Sequence, residues 1–454
     1  MKTKLSCGET LLVGATLFGM FFGAGNVIFP IHMGQEAGAN SWWAALGFIL
    51  TGVGIPILAV GAIAVSHSTG LFGLARHVGR GWAYFFTCLL YLTIGPFFAI
   101  PRTAATSFTS SLPVIPGTSL QLNQLLFSVV FFVIVLFFSL KPSGIMTWIG
   151  KIFVPIFLVF LAILMVVALL NPSTPYSSVT PDAVYSSNPF FHGFLDGYNT
   201  MDAIAGLAFG IVVVDSIHSL GVRKDTDVAK SALKAGVVTA ILMGVIYIGT
   251  TFMGAQSLGF TELSEEGGTA LEGGTAFAQV ADHYFGRVGA WLLAVTITVA
   301  CMKTAIGLVI SCSEAFVKMF PHALSYRGWV IAFTLFSLVV TNVGLAQLIE
   351  YAVPVLMLLY PLGITLIVLG LASHAINFAH SVFVGATAGA LIGAIPDFLS
   401  RLPFGPDVSA FASAIPLGSL GLGWIVPTII GALIGTGVAA SRSEFRRSSD
   451  ALNE

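Results

Sequence analysis

The stretch Leu17-Phe18-Gly19-Met20-Phe21-Phe22-Gly23-Ala24-Gly25-Asn26-Val27-Ile28-Phe29-Pro30 places three small residues and an asparagine inside an otherwise apolar run. Glycine costs a helix interior about 1 kcal/mol against alanine, and an asparagine side chain in hydrocarbon needs a partner. The run therefore reads as one membrane helix interrupted at about residues 22–27. A second candidate follows Tyr198-Asn199-Thr200-Met201-Asp202, where Ala205-Gly206-Leu207-Ala208-Phe209-Gly210 again puts glycine at mid-depth. That interruption is expected at about 203–210.

The surrounding chain supports a bilayer setting for both. Of 454 residues, 56% are apolar and 9% charged, against about 25% charged in soluble domains, too few to cover a water-facing surface of this size. Apolar runs of about 20 residues, each long enough to span a bilayer, number about twelve, from one near 8–34 through one near 190–217 to one near 418–440. The fold class is an all-α integral membrane protein. Fifteen of the 19 Lys and Arg fall in alternate connections on one side, two (Arg287, Arg401) on the other, and Arg102 and Lys303 lie within spans. Positive charge is retained in short cytoplasmic loops, so both termini are expected in the cytoplasm. Lys2 and Lys4 precede an apolar run that continues to Pro30 without a small-residue cleavage site, which reads as an uncleaved first helix.

The first interruption opens residues 1–175 and the second opens residues 176–372, each a block of five helices. An odd number of spans turns the second block upside down, giving an inverted repeat, with residues 373–454 supplying two further helices and a tail. Unpaired backbone is tolerated at membrane depth only where it lines a cavity, and paired interruptions in two halves point to a transporter's midplane site. The bland alternative is that glycine permits close helix approach, which suits Gly385, Gly389 and Gly393, and also Gly431 and Gly435.

Other classes fit poorly. The net charge of -1 leaves no basic nucleic-acid face. Cys7, Cys88, Cys301 and Cys312 show no metal or disulfide spacing, no GxSxG, HExxH or P-loop occurs, and no organic cofactor or obligate protein partner is indicated. An enzyme is not expected.

The strings Phe22-Gly23-Ala24-Gly25-Asn26-Val27-Ile28-Phe29-Pro30, Gly95-Pro96-Phe97-Phe98-Ala99-Ile100-Pro101-Arg102-Thr103-Ala104, Gly197-Tyr198-Asn199-Thr200-Met201-Asp202 and Val353-Pro354-Val355-Leu356 resemble the bacterial branched-chain amino acid:cation symporters, the BrnQ-type carriers. The resemblance runs over nearly the whole chain. It implies uptake of leucine, isoleucine and valine coupled to Na+ at the bacterial inner membrane, on a LeuT-type fold of five-plus-five inverted repeats.

For such a substrate the interruptions offer both charges a partner. Free N–H groups near Gly23, Ala24 and Gly25 suit a carboxylate, and carbonyls near Ala203 to Ala205, with Thr200, suit an ammonium. Thr93 and Tyr91 are further candidates for the carboxylate, and Phe21, Ile94, Met201, Leu207 and Phe209 for the branched tail, each equally at home as core packing; Asn26, Asp202 and Gly206 are expected at the substrate site with them. By resemblance Asn26 coordinates a cation, or caps the second half-helix. A second cation site would use Gly19, Phe22, Ala300 and Thr304. Lys303 departs from the family pattern: either its ammonium stands in for that cation, making transport proton-linked or uncoupled, or it turns toward Asp202, Asp215 or water. Arg102 and Asp202, expected toward the outer ends of their spans, form a gate latch, or Arg102 snorkels to the interface. Residues 257–282 resemble an extracellular lid or a plain solvated connection.

Overall fold

Because lipid offers no hydrogen bonds, each apolar run must close its main-chain bonds on itself, and each one folds as helix. The structure, a computed structural model, describes residues 2–23, 25–66, 70–115, 119–140, 144–260, 272–373, 376 and 378–441, with backbone alone at 144–154 and 409. Among them a single Lys2–Val222 bridge is the only β-type pairing.

The helices compose twelve spans. Span 1 is Cys7–Phe21 and Gly25–Ala37. Span 2 runs from Ser41–Ile49 through a wide turn to Ile55–Val65. Span 3 is Arg80–Leu92 and Ala99–Thr109, span 4 Leu120–Leu140 and span 5 Gly144–Leu170. Span 6 is Pro189–Asp196 and Asp202–Ser219. Spans 7 to 10 are Asp225–Ser257, Gly273–Met319, Tyr326–Thr341 and Leu345–Ala372, and spans 11 and 12 are His380–Ser400 and Ile425–Ser441. Eight stretches are long and apolar enough to cross a membrane, and four shorter apolar helices join them. Their outer faces carry side chains such as Val133, Phe137, Leu170 and Val288, all exposed, as a lipid-facing surface requires.

Spans 11 and 12 cross on glycine. A Cβ on Gly385 would stand 2.2 Å from the Gly431 carbonyl oxygen, and one on Gly431 would stand 2.1 Å from that of Gly385. These are packing residues, the small-residue crossing expected of membrane helices.

The spans that matter for function are the irregular ones. In span 1 the first half ends at Phe21, Phe22 turns extended (φ -69°, ψ 108°), and the second half starts at Gly25, within the expected interval. In span 6 the break lies at 197–201, upstream of the expected 203–210. Gly197–Thr200 form a tight 3-10 turn, Met201 takes a left-handed conformation (φ 62°, ψ 11°), and regular helix resumes at Asp202. The string 203–210 is unbroken helix. Its Gly206 serves a different end: a Cβ there would come within 2.8 Å of the Pro56 carbonyl and 3.1 Å of Ala59, so span 2 presses directly on it. Span 3 is also interrupted, at Thr93–Phe97, where Gly95 has φ -99° and ψ -124°, beside the Pro96 that removes one main-chain donor. Span 8 bends at Gly286, whose φ of 58° is glycine's territory. The part before the bend lies close against the second half of span 1, with Gly273 packed on the Ile28 carbonyl, and against Thr109 of span 3 through Gly274. Of the expected lid, 261–271 lie outside the described residues, and the remainder near 272–282 is this helix.

Candidate functional site

The two breaks face each other across the bundle, joined by one side chain. Asn26, in the first turn after break one, donates from Nδ2 to Asp202 Oδ2 (2.5 Å) and to the Tyr247 hydroxyl (2.6 Å), while its Oδ1 accepts from the Gly23 N–H (2.7 Å). Asn26 therefore caps its own half-helix and ties break one to break two. Tyr247, on span 7, also donates to Asp202 Oδ2 (3.3 Å). The Asp202 N–H reaches the Thr200 hydroxyl (3.3 Å), which donates to the Gly197 carbonyl (2.9 Å). Asn26, Asp202, Thr200 and Tyr247 are all buried.

Between the breaks lies a small cavity lined by Gly23, Gly25, Asn26, Thr200, Asp202 and Arg102, with Phe21, Ile94, Met201, Ala205 and Phe209 on its apolar side. Most of the residues expected at a substrate site are thus brought together. Three are not. Thr93 donates to its own helix at the Leu89 carbonyl (2.8 Å), Gly206 packs on span 2, and Leu207 is core. Ala24 lies outside the described residues. Tyr91 turns elsewhere, donating to the Ala208 carbonyl (3.1 Å).

Arg102 and Asp202 belong to this central cavity rather than to an outer rim. The reason is the shift of the second break, which makes Asp202 the first residue of a half-helix, together with the interruption of span 3 that swings Ala99–Thr109 inward. They do not pair: the ion pairs among the described residues are Lys2–Glu9 and His32–Glu36. Arg102 Nη1 donates to the Asn199 carbonyl (2.6 Å), and its guanidinium sits 5.0 Å over the Phe29 ring. It is not a snorkelling side chain, being 8% exposed.

A second, smaller cavity adjoins the first. It is lined by Gly19, Phe22, Gly23, Ala300, Lys303 and Thr304 among others, so the four residues expected at a second cation site converge, with Lys303 beside them. The last four carbonyls of a half-helix lack intrahelical partners, which exposes those of Gly19 and Phe22. The Thr304 hydroxyl, bonded to the Ala300 carbonyl (3.1 Å), adds another hard oxygen. This donor set fits Na+. The Lys303 side chain enters the same cavity, half-buried, and pairs with neither Asp202 nor Asp215. Gly23 and Thr304 line both cavities.

Each end of the bundle carries a larger cavity of about 1040 Å³. One, at the acidic end, is bordered by Phe29, Glu36, Asp196, Asn199, Glu272 and Glu350, which is where Glu350 finds its place. Burial raises the Glu272 carboxyl above the ordinary carboxylate range. The other, at the basic end, is bordered by Tyr84, Tyr91, Phe209, Glu314 and Lys318. Phe29 and the Arg102–Asn199 bond stand between the centre and the acidic end, and Phe209 lines both the centre and the basic end.

This geometry of a central cavity between two end cavities accompanies a specific kinship. The pattern of the family described as branched-chain amino acid transport protein matches residues 6–442. The chain belongs to that family. It is 48% identical over 441 residues to the branched-chain amino acid permease BrnQ of Lactobacillus delbrueckii subsp. lactis, covering 96% of this chain and 98% of the relative. It is 39% identical over 438 residues to the branched-chain amino acid permease BraB of Bacillus subtilis, covering 96% of each. Solved structures share the fold at low identity. A closed conformation of Mhp1, a nucleobase-cation-symport-1 family transporter with bromovinylhydantoin bound, superposes with a TM-score of 0.56 at 15% identity, covering 96% of this chain and 93% of that one. MhsT in complex with L-phenylalanine gives 0.56 at 15%, covering 96% and 99%. The fold of this family member is thus LeuT-like, and the protein is a multi-pass membrane transporter and not an enzyme.

Tyr247 is the residue that sequence reasoning missed. A tyrosine in an apolar span reads as packing or interface, and nothing near it in sequence announces its partners 221 and 45 residues away.

Proposed function

We propose that this chain imports leucine, isoleucine and valine across the bacterial plasma membrane by cation symport, with its basic end and both termini in the cytoplasm and the acidic end outside. The observation that carries the reading is the central cavity held between two facing helix breaks. Main-chain N–H groups opening the second half of span 1 receive the substrate carboxylate, carbonyls ending the 197–200 turn receive the ammonium, and Phe21, Ile94 and Phe209 receive the branched tail. The closures on either side, at Phe29 with Arg102 and at Phe209, open in turn, giving alternating access. Na+ is the coupling ion of this reading, held by the Gly19 and Phe22 carbonyls and the Thr304 hydroxyl, and by Asn26 beside the substrate once its amide turns from its capping bond.

One observation favours a second reading of the coupling. The unpaired Lys303 ammonium enters the cavity that Na+ would occupy, and an ammonium at that depth costs about 2.5–3.5 kcal/mol even on insertion scales. In that reading it serves as the cation, and proton exchange at Lys303 replaces sodium.

Radiolabelled leucine uptake into proteoliposomes tests both. Uptake stimulated by an inward sodium gradient, and competed by isoleucine and valine, supports sodium symport. Uptake indifferent to sodium, driven by an inward proton gradient and losing that drive in Lys303→Ser, supports the second reading. Absence of any leucine uptake or exchange overturns the transport assignment.

A further inference from the structure

Two oppositely charged side chains line the central cavity without meeting. Arg102 is 8% exposed and Asp202 3% exposed, both face the same enclosed space, and no ion pair links them. Each is only partly satisfied by protein. Among the described residues the Arg102 guanidinium has one hydrogen bond, from Nη1 to the Asn199 carbonyl, out of its five donors. Both bonds to the Asp202 carboxylate end on Oδ2. The Thr200 side chain also lies against this carboxylate. Burying one charge costs several kcal/mol unless a partner of opposite sign reaches it. Arg102 and Asp202 attract one another across the cavity without touching, which leaves room for a partner between them.

Their positions are not interchangeable. Arg102 Nη2 lies 3.1 Å from where a Cβ on Gly25 would stand, at the opening of the second half of span 1, whose dipole already favours an anion. Asp202 sits directly after the 197–200 turn, of whose carbonyls Gly197 already accepts from Thr200, Tyr198 from the Met201 N–H and Asn199 from Arg102. Charge and backbone therefore agree at the Gly25 pole, and at the other pole the Asp202 carboxylate carries the attraction for a cation.

Resting on the reading of this cavity as an amino acid site, we propose that Arg102 and Asp202 form a charge clamp for the zwitterion. Arg102 receives the α-carboxylate together with the Gly25 end of span 1, and Asp202 receives the α-ammonium. The bound solute completes an alternating row of four charges with no net charge added. A ligand carrying only one of the two groups leaves the opposite protein charge buried and alone, so selection for α-amino acids over the corresponding amines and carboxylic acids arises in these two side chains.

The test is binding to the purified full-length protein, by competition against radiolabelled leucine, with leucine, 4-methylpentanoate (no ammonium) and 3-methylbutylamine (no carboxylate) as ligands. Arg102→Gln is expected to weaken leucine about 30-fold or more while leaving the amine within threefold of wild type. Asp202→Asn, which keeps shape and hydrogen bonding, is expected to weaken leucine comparably and leave the acid unchanged or tighter. If Arg102→Gln does not fold, Arg102→Lys keeps the charge and should retain the amine and acid ranking with a smaller loss for leucine. Leucine affinity within threefold of wild type in both variants overturns the clamp, as does an equal loss for all three ligands in a well-folded variant, which is the signature of a structural role. Wild-type protein that binds none of leucine, isoleucine and valine overturns the amino acid reading itself.

Discussion

The two breaks that define the site are made by opposite means. Break one is made by what its residues lack: Gly23 and Gly25 flank it, and the half-helix beyond is capped by Asn26 from within. Break two is made by residues that all carry side chains except Gly197, and it turns on Met201, a flexible apolar residue held left-handed. Such a conformation costs roughly 1–2 kcal/mol, and the buried surroundings of Met201 must supply it. Composition writes the first break and tertiary context imposes the second.

The sharpest way to break this comparison is to add a side chain where break one has none. Gly25→Leu should lower leucine uptake about a hundredfold or more, since its Cβ alone meets Arg102 Nη2 and the Phe29 ring at 3.1 Å and overpacking of up to about 3 kcal/mol converts to that factor. The gel-filtration peak should stay monodisperse; equal loss of folding and uptake would make Gly25 a packing residue. Next, Tyr247→Phe removes the hydroxyl shared by Asn26 and Asp202. Leucine affinity should fall about tenfold, a bond to a charged group contributing about 1.5–3 kcal/mol. An unchanged affinity in equilibrium binding would show that the breaks are joined by Asn26 alone. Met201→Val sharpens the account of break two. A β-branched residue resists the left-handed region, so the apparent melting temperature should drop by the equivalent of about 1–3 kcal/mol, and no drop would mean the turn is free to relax. The smallest effects belong to residues that only resemble site residues. Gly206→Ala should cost stability by about 1–3 kcal/mol with leucine affinity of the folded protein kept within twofold, and Thr93→Val should alter neither binding nor melting appreciably.

The contrast also explains what the sequence conveys. Hydropathy yields the membrane class and the twelve spans because lipid leaves a helix no alternative, and the run at Gly23 to Asn26 is legible because glycine and asparagine are costly where they stand. The same logic misplaces break two. Gly206 and Gly210 look like interruptions, yet a glycine admits a neighbouring helix as readily as it ends its own, and only the approach of span 2 tells the two apart. Met201 gives no signal, since left-handed methionine is a product of its surroundings. Placing the break correctly moves Asp202 from a span end to the heart of the molecule, and Arg102 with it once span 3 bends at Gly95 and Pro96. Sequence reasoning expected Arg102 and Asp202 toward the outer ends of their spans; the fold puts both at the centre.

Gly23 and Thr304 are a common partition between the central cavity and the chamber holding Lys303. Two tenants separated by one peptide and one hydroxyl feel each other's charge at short range in a poor dielectric. By thermodynamic reciprocity, whatever factor a cation in that chamber contributes to leucine affinity, leucine returns to the cation. In the symport we propose, energy conversion therefore needs no long relay: the wall between the rooms is thin enough to be the transmission.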